Sequence, residues 1–262
     1  MNPEVVVFPR LDAATAEAAE RFAAISERAV AARGACAVAL SGGDTPKALF
    51  AQLAGEPYRR RIPWERLQVF WADERCVPPD DPQSNYRLAY DLLLSKVPVP
   101  QAQIYRMPGD MPDHVKAADA YAETLRAQVP ATADGWPRFD VILLGIGANA
   151  HTASLFPHTR AVRERERTVV AQFVQEVGMW RMTLTVPVLR SAADIVFLAS
   201  GASKAEAVRA AIEGPPNGDD VPASLIRPID GRVAWLLDSA AAAGLGRAGG
   251  LAAKGFARVP PQ

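Results

Sequence analysis

The chain has 262 residues, and 29 Lys plus Arg balance 29 Asp plus Glu, so its formal net charge is zero. Hydrophobic residues make up 49% and charged residues 22%, the balance of a globular protein rather than a disordered one. Zero net charge argues against a protein that holds nucleic acid by bulk electrostatics, and no apolar run approaches the roughly 18 residues of a membrane span.

The first residues, Met1 to Arg10, carry no basic region followed by an apolar run, so no secretory signal is expected. Cys36 and Cys76 lie far apart and form neither a metal-spacing pair nor a disulfide framework. A cytoplasmic protein with reduced thiols is expected.

Taken in order, Val5–Phe8 is an apolar run suited to a strand. The segment 12–33 is Ala-rich, with Ala19, Phe22, Ala23 and Val30 near helical spacing; Asp12 is the expected N-cap and Gly34 the expected stop. Cys36–Leu40 reads as a buried strand, Ser41–Thr45 as a loop, and Pro46 as the opening of a helix to about Leu53. Leu67–Ala72 is the next strand. Residues 75–83 hold Pro78, Pro79 and Pro82 with Asp80 and Asp81, which predicts a loop. Ser84 can cap a helix through Leu94, and 114–129 is a further helix. Phe139–Leu144 is a continuous apolar run, the pattern of a strand buried on both faces.

Thr168–Phe173 and Met182–Val186 are β-rich, Ile195–Ala199 is another buried strand, and 203–212 is the helix behind it. Residues 213–221 read as a surface loop and Val233–Leu237 as the last strand. From Ala240 the chain turns Ala/Gly-rich, helical at first, with a loose tail from about 246. Strands alternating with helices predict an α/β fold, a mostly parallel, Rossmann-like sheet flanked by helices. With no repeat and no long linker, residues 1–262 read as one domain.

In such sheets ligands collect beyond the carboxyl ends of strands. That rule selects 41–45, 73–75, 145–151 and 201–204, each polar or glycine-rich and each following a buried strand. In the first, Gly42 and Gly43 lead to Thr45 as N-cap and Pro46 as first helical residue; free N–H groups there suit a phosphate. The Gly-Lys-Ser/Thr ending of a P-loop is absent. The reading of this segment as a tight turn without a ligand stands beside it. Asp44 would repel a phosphate unless its side chain points away or accepts a sugar hydroxyl, and the second option is preferred.

Asp73-Glu74-Arg75 on its own reads as a surface ion-pair cluster, though Arg75 can also grip a phosphate with two N–H groups. In Gly145-Ile146-Gly147-Ala148-Asn149-Ala150-His151 the dinucleotide fingerprint fails, because Ala150 replaces the third glycine. His151 can serve as a general base near neutral pH. His114 reads as a solvated surface group and His158 as a neighbour of the site or simply exposed. The spacing of His151 and His158 fits no common zinc arrangement, so no metal is expected. No serine elbow is present, and nothing motivates a cysteine nucleophile. Lys204 falls in the first turn of a helix, where a cation opposes the helix dipole and hints at an anionic ligand.

These segments together resemble the 6-phosphogluconolactonases. The match rests on Ser-Gly-Gly-x-Thr-Pro at 41–46, Trp71–Val77 with Ser84-Asn85-Tyr86, the run 145–157 ending in His-Thr-Ala-Ser-Leu-Phe-Pro, Arg181–Leu189, Gly201–Lys204 and Trp235-Leu236-Leu237-Asp238. The resemblance implies a sheet of the type shared with sugar-phosphate isomerases and deaminases. It implies hydrolysis of 6-phospho-D-glucono-1,5-lactone to 6-phosphogluconate in the oxidative pentose phosphate pathway, without a cofactor. Arg75, Lys204 and the loop of Gly42, Gly43, Asp44 and Thr45 would hold the phosphate. His151 would activate water, and backbone N–H groups near Gly43 or Gly147 would receive the oxyanion.

One departure stands out. The family pattern Gly-x-Asp-Gly-His is here Gly147-Ala148-Asn149-Ala150-His151. Asn149 can orient the His151 ring but supplies no charge, so turnover below that of an Asn149→Asp, Ala150→Gly variant is expected. Two rivals follow. An amino-sugar-phosphate deaminase or isomerase would need a carboxylate base, which Asn149 removes from the obvious place. A sugar-phosphate-binding protein that has lost catalysis would leave His151 unexplained.

Overall fold

The structure, a computed structural model, describes residues 3–246. The tail expected from about 246 falls almost wholly outside the described residues.

The six-stranded sheet holds β1 (Glu4–Phe8), β2 (Cys36–Leu40), β3 (Leu67–Trp71), β5 (Val141–Leu144), β8 (Asp194–Ala199) and β9 (Arg232–Asp238), in the order β1-β9-β8-β5-β2-β3. Every pairing in it is parallel. β4 (Asp73–Arg75), β6 (Val169–Val174) and β7 (Met179–Leu184) form a separate antiparallel sheet in the order β4-β7-β6. The helices are α1 (Leu11–Arg33), α2 (Asp44–Leu53), α3 (Tyr58–Arg61), α4 (Asn85–Leu92), α5 (His114–Gln128), α6 (Arg160–Arg163), α7 (Val186–Arg190) and α8 (Ala205–Glu213).

The expected α/β class and mostly parallel sheet are what the chain forms. β2, β5 and β8 are buried along their whole length, as continuous apolar runs require when helices cover both faces. α1 lays Ala14, Ala18, Ala19 and Ala23 inward beside Phe22. Small side chains let this long helix lie close to the sheet, and Ser26 spends its hydroxyl on the Phe22 carbonyl at 2.8 Å, so no polar atom is stranded there.

Several boundaries differ from expectation, each for a local reason. Arg10, not Asp12, is the N-cap of α1, and it caps without a side-chain hydrogen bond; Asp12 sits in the first turn and pairs with Arg10. Gly34 stops the helix in the left-handed conformation, as expected. α2 begins at Asp44 with Gly43 as its cap, two residues earlier than expected, because Gly43 takes φ 107° and lets the chain turn sooner. Ser84 caps α4 by accepting the Arg87 N–H, but that helix ends at Leu92 rather than Leu94. β7 starts at Met179, and Val186 belongs to α7. Residues 202–204 form a 3₁₀ turn that leads into α8. Residues 240–243 are turns, not helix.

The strand order positions the site. From β2 the chain moves outward to β3, whereas from β5 it moves the opposite way to β8. The connections leaving β2 and β5 therefore diverge and open a crevice beyond their carboxyl ends, the switch point of an open parallel sheet. Ser41 bridges the two strands there, donating to the Leu143 carbonyl at 2.8 Å.

Candidate functional site

That crevice is a cleft of about 530 Å³. The expected residues Gly42, Gly43, Asp44, Thr45, Arg75, His151 and Lys204 all line it. They come from four strand ends far apart in sequence, which is the convergence the switch-point rule requires. Asp73, Asn85, Ser154 and Arg181 join them.

His151 rides on the wound loop after β5. The Gly147 N–H donates to the His151 carbonyl at 2.8 Å, and the Ala150 N–H to the Gly147 carbonyl at 3.0 Å. This tight loop demands glycine at 147, where a Cβ would overlap the His151 ring and the Asn149 amide. Ala150 holds φ 63°, a conformation that glycine would adopt freely. The His151 ring stacks on Phe156, centroids 4.2 Å apart.

The Asn149 Oδ1 lies 2.5 Å from His151 Nδ1 and also accepts the His151 backbone N–H at 3.2 Å. With Oδ1 as acceptor the proton sits on Nδ1, and Nε2 keeps its lone pair. Burial pushes the His151 pKa down to about 4, against the opposing pull of Asp73 and Glu176. The imidazole is therefore neutral at physiological pH.

Arg75 and Arg181 pair across the antiparallel strands β4 and β7. Arg75 is fixed by donating to the Gln83 carbonyl at 2.5 Å. The Nε atoms of both arginines are buried without a hydrogen-bond partner. Burial and the facing charge of Arg75 lower the pKa of Arg181. Lys204, on the turn before α8, faces the same cleft. Asp44, at the rim of the cleft, has an exposed carboxylate paired with Lys47 at 2.7 Å. That ion pair, with smaller effects of Lys204 and Arg75, holds its pKa below the ordinary value.

Asp73 and Glu74 are buried, so the triplet is not a surface ion-pair cluster. Glu74 accepts the N–H groups of Arg75, Asn85 and Tyr86 at 2.7, 2.7 and 2.8 Å and the Ser84 hydroxyl at 3.1 Å. Burial pushes its pKa up to about 6 against those donors. The carboxylate thus ties the loop 75–83 to the start of α4. Asp73 accepts the Ser154 hydroxyl at 2.7 Å and the Asn85 amide at 3.4 Å.

His114 differs from expectation. It is half-buried, its ring 5.2 Å from Trp180, and its Nδ1 is enclosed without a partner. His158 is exposed, 3.4 Å from Asp220. Burial raises the pKa of Cys36 and pushes that of Cys76 up to about 12, so both thiols stay protonated. Among the described residues no cluster of three or more His, Cys, Asp or Glu could hold a metal, and no helix is long and apolar enough to cross a membrane.

No motif assigns a role to Arg181 or Glu176, and Asp73, although inside the selected segment 73–75, is given none either. Arg181 lay within a matched segment, but only the β4–β7 register brings it opposite Arg75. Glu176 sits in the turn of the β6–β7 hairpin, and no motif marks it.

Fold and cleft define an α/β protein with a cleft lined by Arg75, Arg181 and Lys204 at the switch point of a parallel sheet. The family model for glucosamine-6-phosphate isomerases/6-phosphogluconolactonase matches residues 9–235, and the chain belongs to that family. It is 41% identical over 214 residues to a 6-phosphogluconolactonase of Synechocystis, covering 82% of this chain and 86% of that one. It is 40% identical over 253 residues to a 6-phosphogluconolactonase of Streptomyces coelicolor, covering 94% and 96%. The solved 6-phosphogluconolactonase of Trypanosoma brucei superposes with a TM-score of 0.83 at 29% identity, covering 94% of this chain and 99% of that one.

Proposed function

We propose that the protein is a single-domain cytoplasmic enzyme that hydrolyses 6-phospho-D-glucono-1,5-lactone to 6-phosphogluconate in the oxidative pentose phosphate pathway, without a cofactor. The observation that carries this reading is His151, held by Asn149 at 2.5 Å in a cleft that also presents Arg75, Arg181 and Lys204. A neutral base beside three cations suits a phosphorylated ester.

The phosphate sits against Arg75, Arg181 and Lys204, with the Asp44 and Thr45 N–H groups at the start of α2 completing its shell. Binding there places the lactone carbonyl toward His151. A water attacks that carbonyl carbon while His151 Nε2 takes its proton. The developing oxyanion needs a donor. The Gly147 N–H is already given to the His151 carbonyl, which leaves the Gly43 N–H to receive the oxyanion. Collapse of the tetrahedral intermediate breaks the bond to the ring oxygen, which leaves as a hydroxyl with the proton returned by His151.

The test is turnover of freshly made 6-phosphogluconolactone above its spontaneous rate, beside the unphosphorylated lactone and glucosamine 6-phosphate. The reading expects hydrolysis of the phosphorylated lactone alone. Ammonia from glucosamine 6-phosphate would replace it with the deaminase reading, for which Asp73 supplies a carboxylate in the cleft. Binding of 6-phosphogluconate with no turnover would mean that catalysis has been lost.

A further inference from the structure

Glu176 lies 27 residues from Asn149 in sequence, on the turn Gln175–Val177 between β6 and β7. Both of its carboxylate oxygens accept the Asn149 Nδ2, at 2.8 and 2.9 Å. The other end of the same amide meets the His151 ring at 2.5 Å.

An asparagine beside a histidine is ambiguous. With Oδ1 toward Nδ1 it accepts a proton there and leaves Nε2 free to act as a base. With Nδ2 toward Nδ1 it donates instead, the proton moves to Nε2, and the ring is useless as a base at that nitrogen. An aspartate has no such choice, because a carboxylate only accepts. Glu176 removes the choice here together with the His151 backbone N–H, which donates to Oδ1 at 3.2 Å: a flipped amide would turn Oδ1 toward the Glu176 carboxylate and lose both Nδ2 contacts. We infer that Glu176 is a positioning residue: it fixes the Asn149 amide and, through it, the tautomer of His151 that can take a proton from water.

The inference rests on the reading of His151 as the base. The groups that face His151 are Asp73 and Glu176, which favour its cation, and Lys204 and Arg181, which oppose it. Glu176 is exposed, so solvent screens its charge. Its orienting effect is geometric and survives that screening. The same hairpin carries Arg181 on β7, so one element presents both a phosphate ligand and the residue that sets the base.

The experiment has two arms. Nitrogen NMR of the His151 ring at neutral pH should show the Nδ1–H tautomer in the native protein and a mixture with Nε2–H in Glu176→Ala. Glu176→Gln, whose amide oxygen still accepts from Asn149, should keep most of the native tautomer. In the kinetic arm, Glu176→Ala should lower kcat on the order of tenfold to a hundredfold, short of a fully wrong tautomer, with KM nearly unchanged. Adding Asn149→Asp to Glu176→Ala should restore the rate, because an aspartate orients the ring unaided. An unmoved tautomer in Glu176→Ala, or a loss confined to KM, would overturn the inference. If the native protein proves to have no lactonase activity, the NMR arm still decides the role of Glu176, because it needs no turnover.

Discussion

Arg75 and Arg181 stand directly opposite each other on the antiparallel strands β4 and β7, each with a buried Nε that has no hydrogen-bond partner. Like charges in facing positions destabilise a sheet. Under the proposed function the pair is an anion site, and phosphate binding offsets the cost of the facing charges. The cleft supplies Lys204 as a third cation.

That arrangement predicts stabilisation by ligand. 6-Phosphogluconate at a hundredfold excess over its Kd should add about 2.7 kcal/mol to the unfolding free energy. Arg181→Ala should abolish most of the shift and raise KM for the phosphorylated lactone about 10- to 100-fold. Thermal unfolding with and without ligand reads the first effect and steady-state kinetics the second. An unchanged KM would remove Arg181 from the phosphate site.

The pH dependence follows from His151. Its pKa lies near 4 in the folded protein, because burial disfavours the imidazolium, against an ordinary 6.5. The acid limb of kcat/KM, which reports the free enzyme, should therefore fall near pH 4 rather than near 6.5. Stability carries the same sign. Between those two values the unfolded chain binds a proton that the folded one refuses, so the His151 contribution is complete above about pH 6.5 and is lost as pH falls toward 4. A limb near 6.5 would show that the ring is solvated.

Gly147→Ala tests the loop. The added methyl would overlap the His151 ring and the Asn149 amide, so the base must move. Activity should fall by about 100-fold or more, the scale of a lost general base, while circular dichroism stays native. Retained activity would mean that the loop relaxes without disturbing the ring.

Glu74→Ala would strand three backbone N–H groups and the Ser84 hydroxyl. The expected cost is about 3 kcal/mol of stability, read by urea unfolding. A rise in KM should accompany it, because the loop that fixes Arg75 is released.

The parallel sheet was legible because β2, β5 and β8 are uninterrupted apolar runs, and the strand-end rule then pointed to Gly42–Thr45, Arg75, His151 and Lys204. All of these line one cleft. The small antiparallel sheet was not legible. β4 is three residues, Asp-Glu-Arg, with no apolar periodicity, and it is a strand only because β7 pairs with it. The burial of Asp73 and Glu74 was hidden for a related reason. Their partners Ser154, Ser84 and Asn85 are brought in by folding. The ion pair of Asp44 with Lys47, one turn along the helix, carries no signature in the glycine loop itself. Asn149 was read as a loss of charge beside His151. The hairpin returns a carboxylate, Glu176, to the far side of its amide, a relationship that no local pattern encodes.

If His151 activates water on a phosphorylated lactone, removing its imidazole must remove turnover. The most direct measurement couples freshly generated 6-phosphogluconolactone to 6-phosphogluconate dehydrogenase, subtracts the spontaneous rate, and compares the native protein with His151→Ala. Clear turnover is expected in the native protein, with a loss of about 100- to 10,000-fold in the variant and 6-phosphogluconate still bound. Equal rates in the two proteins would contradict it.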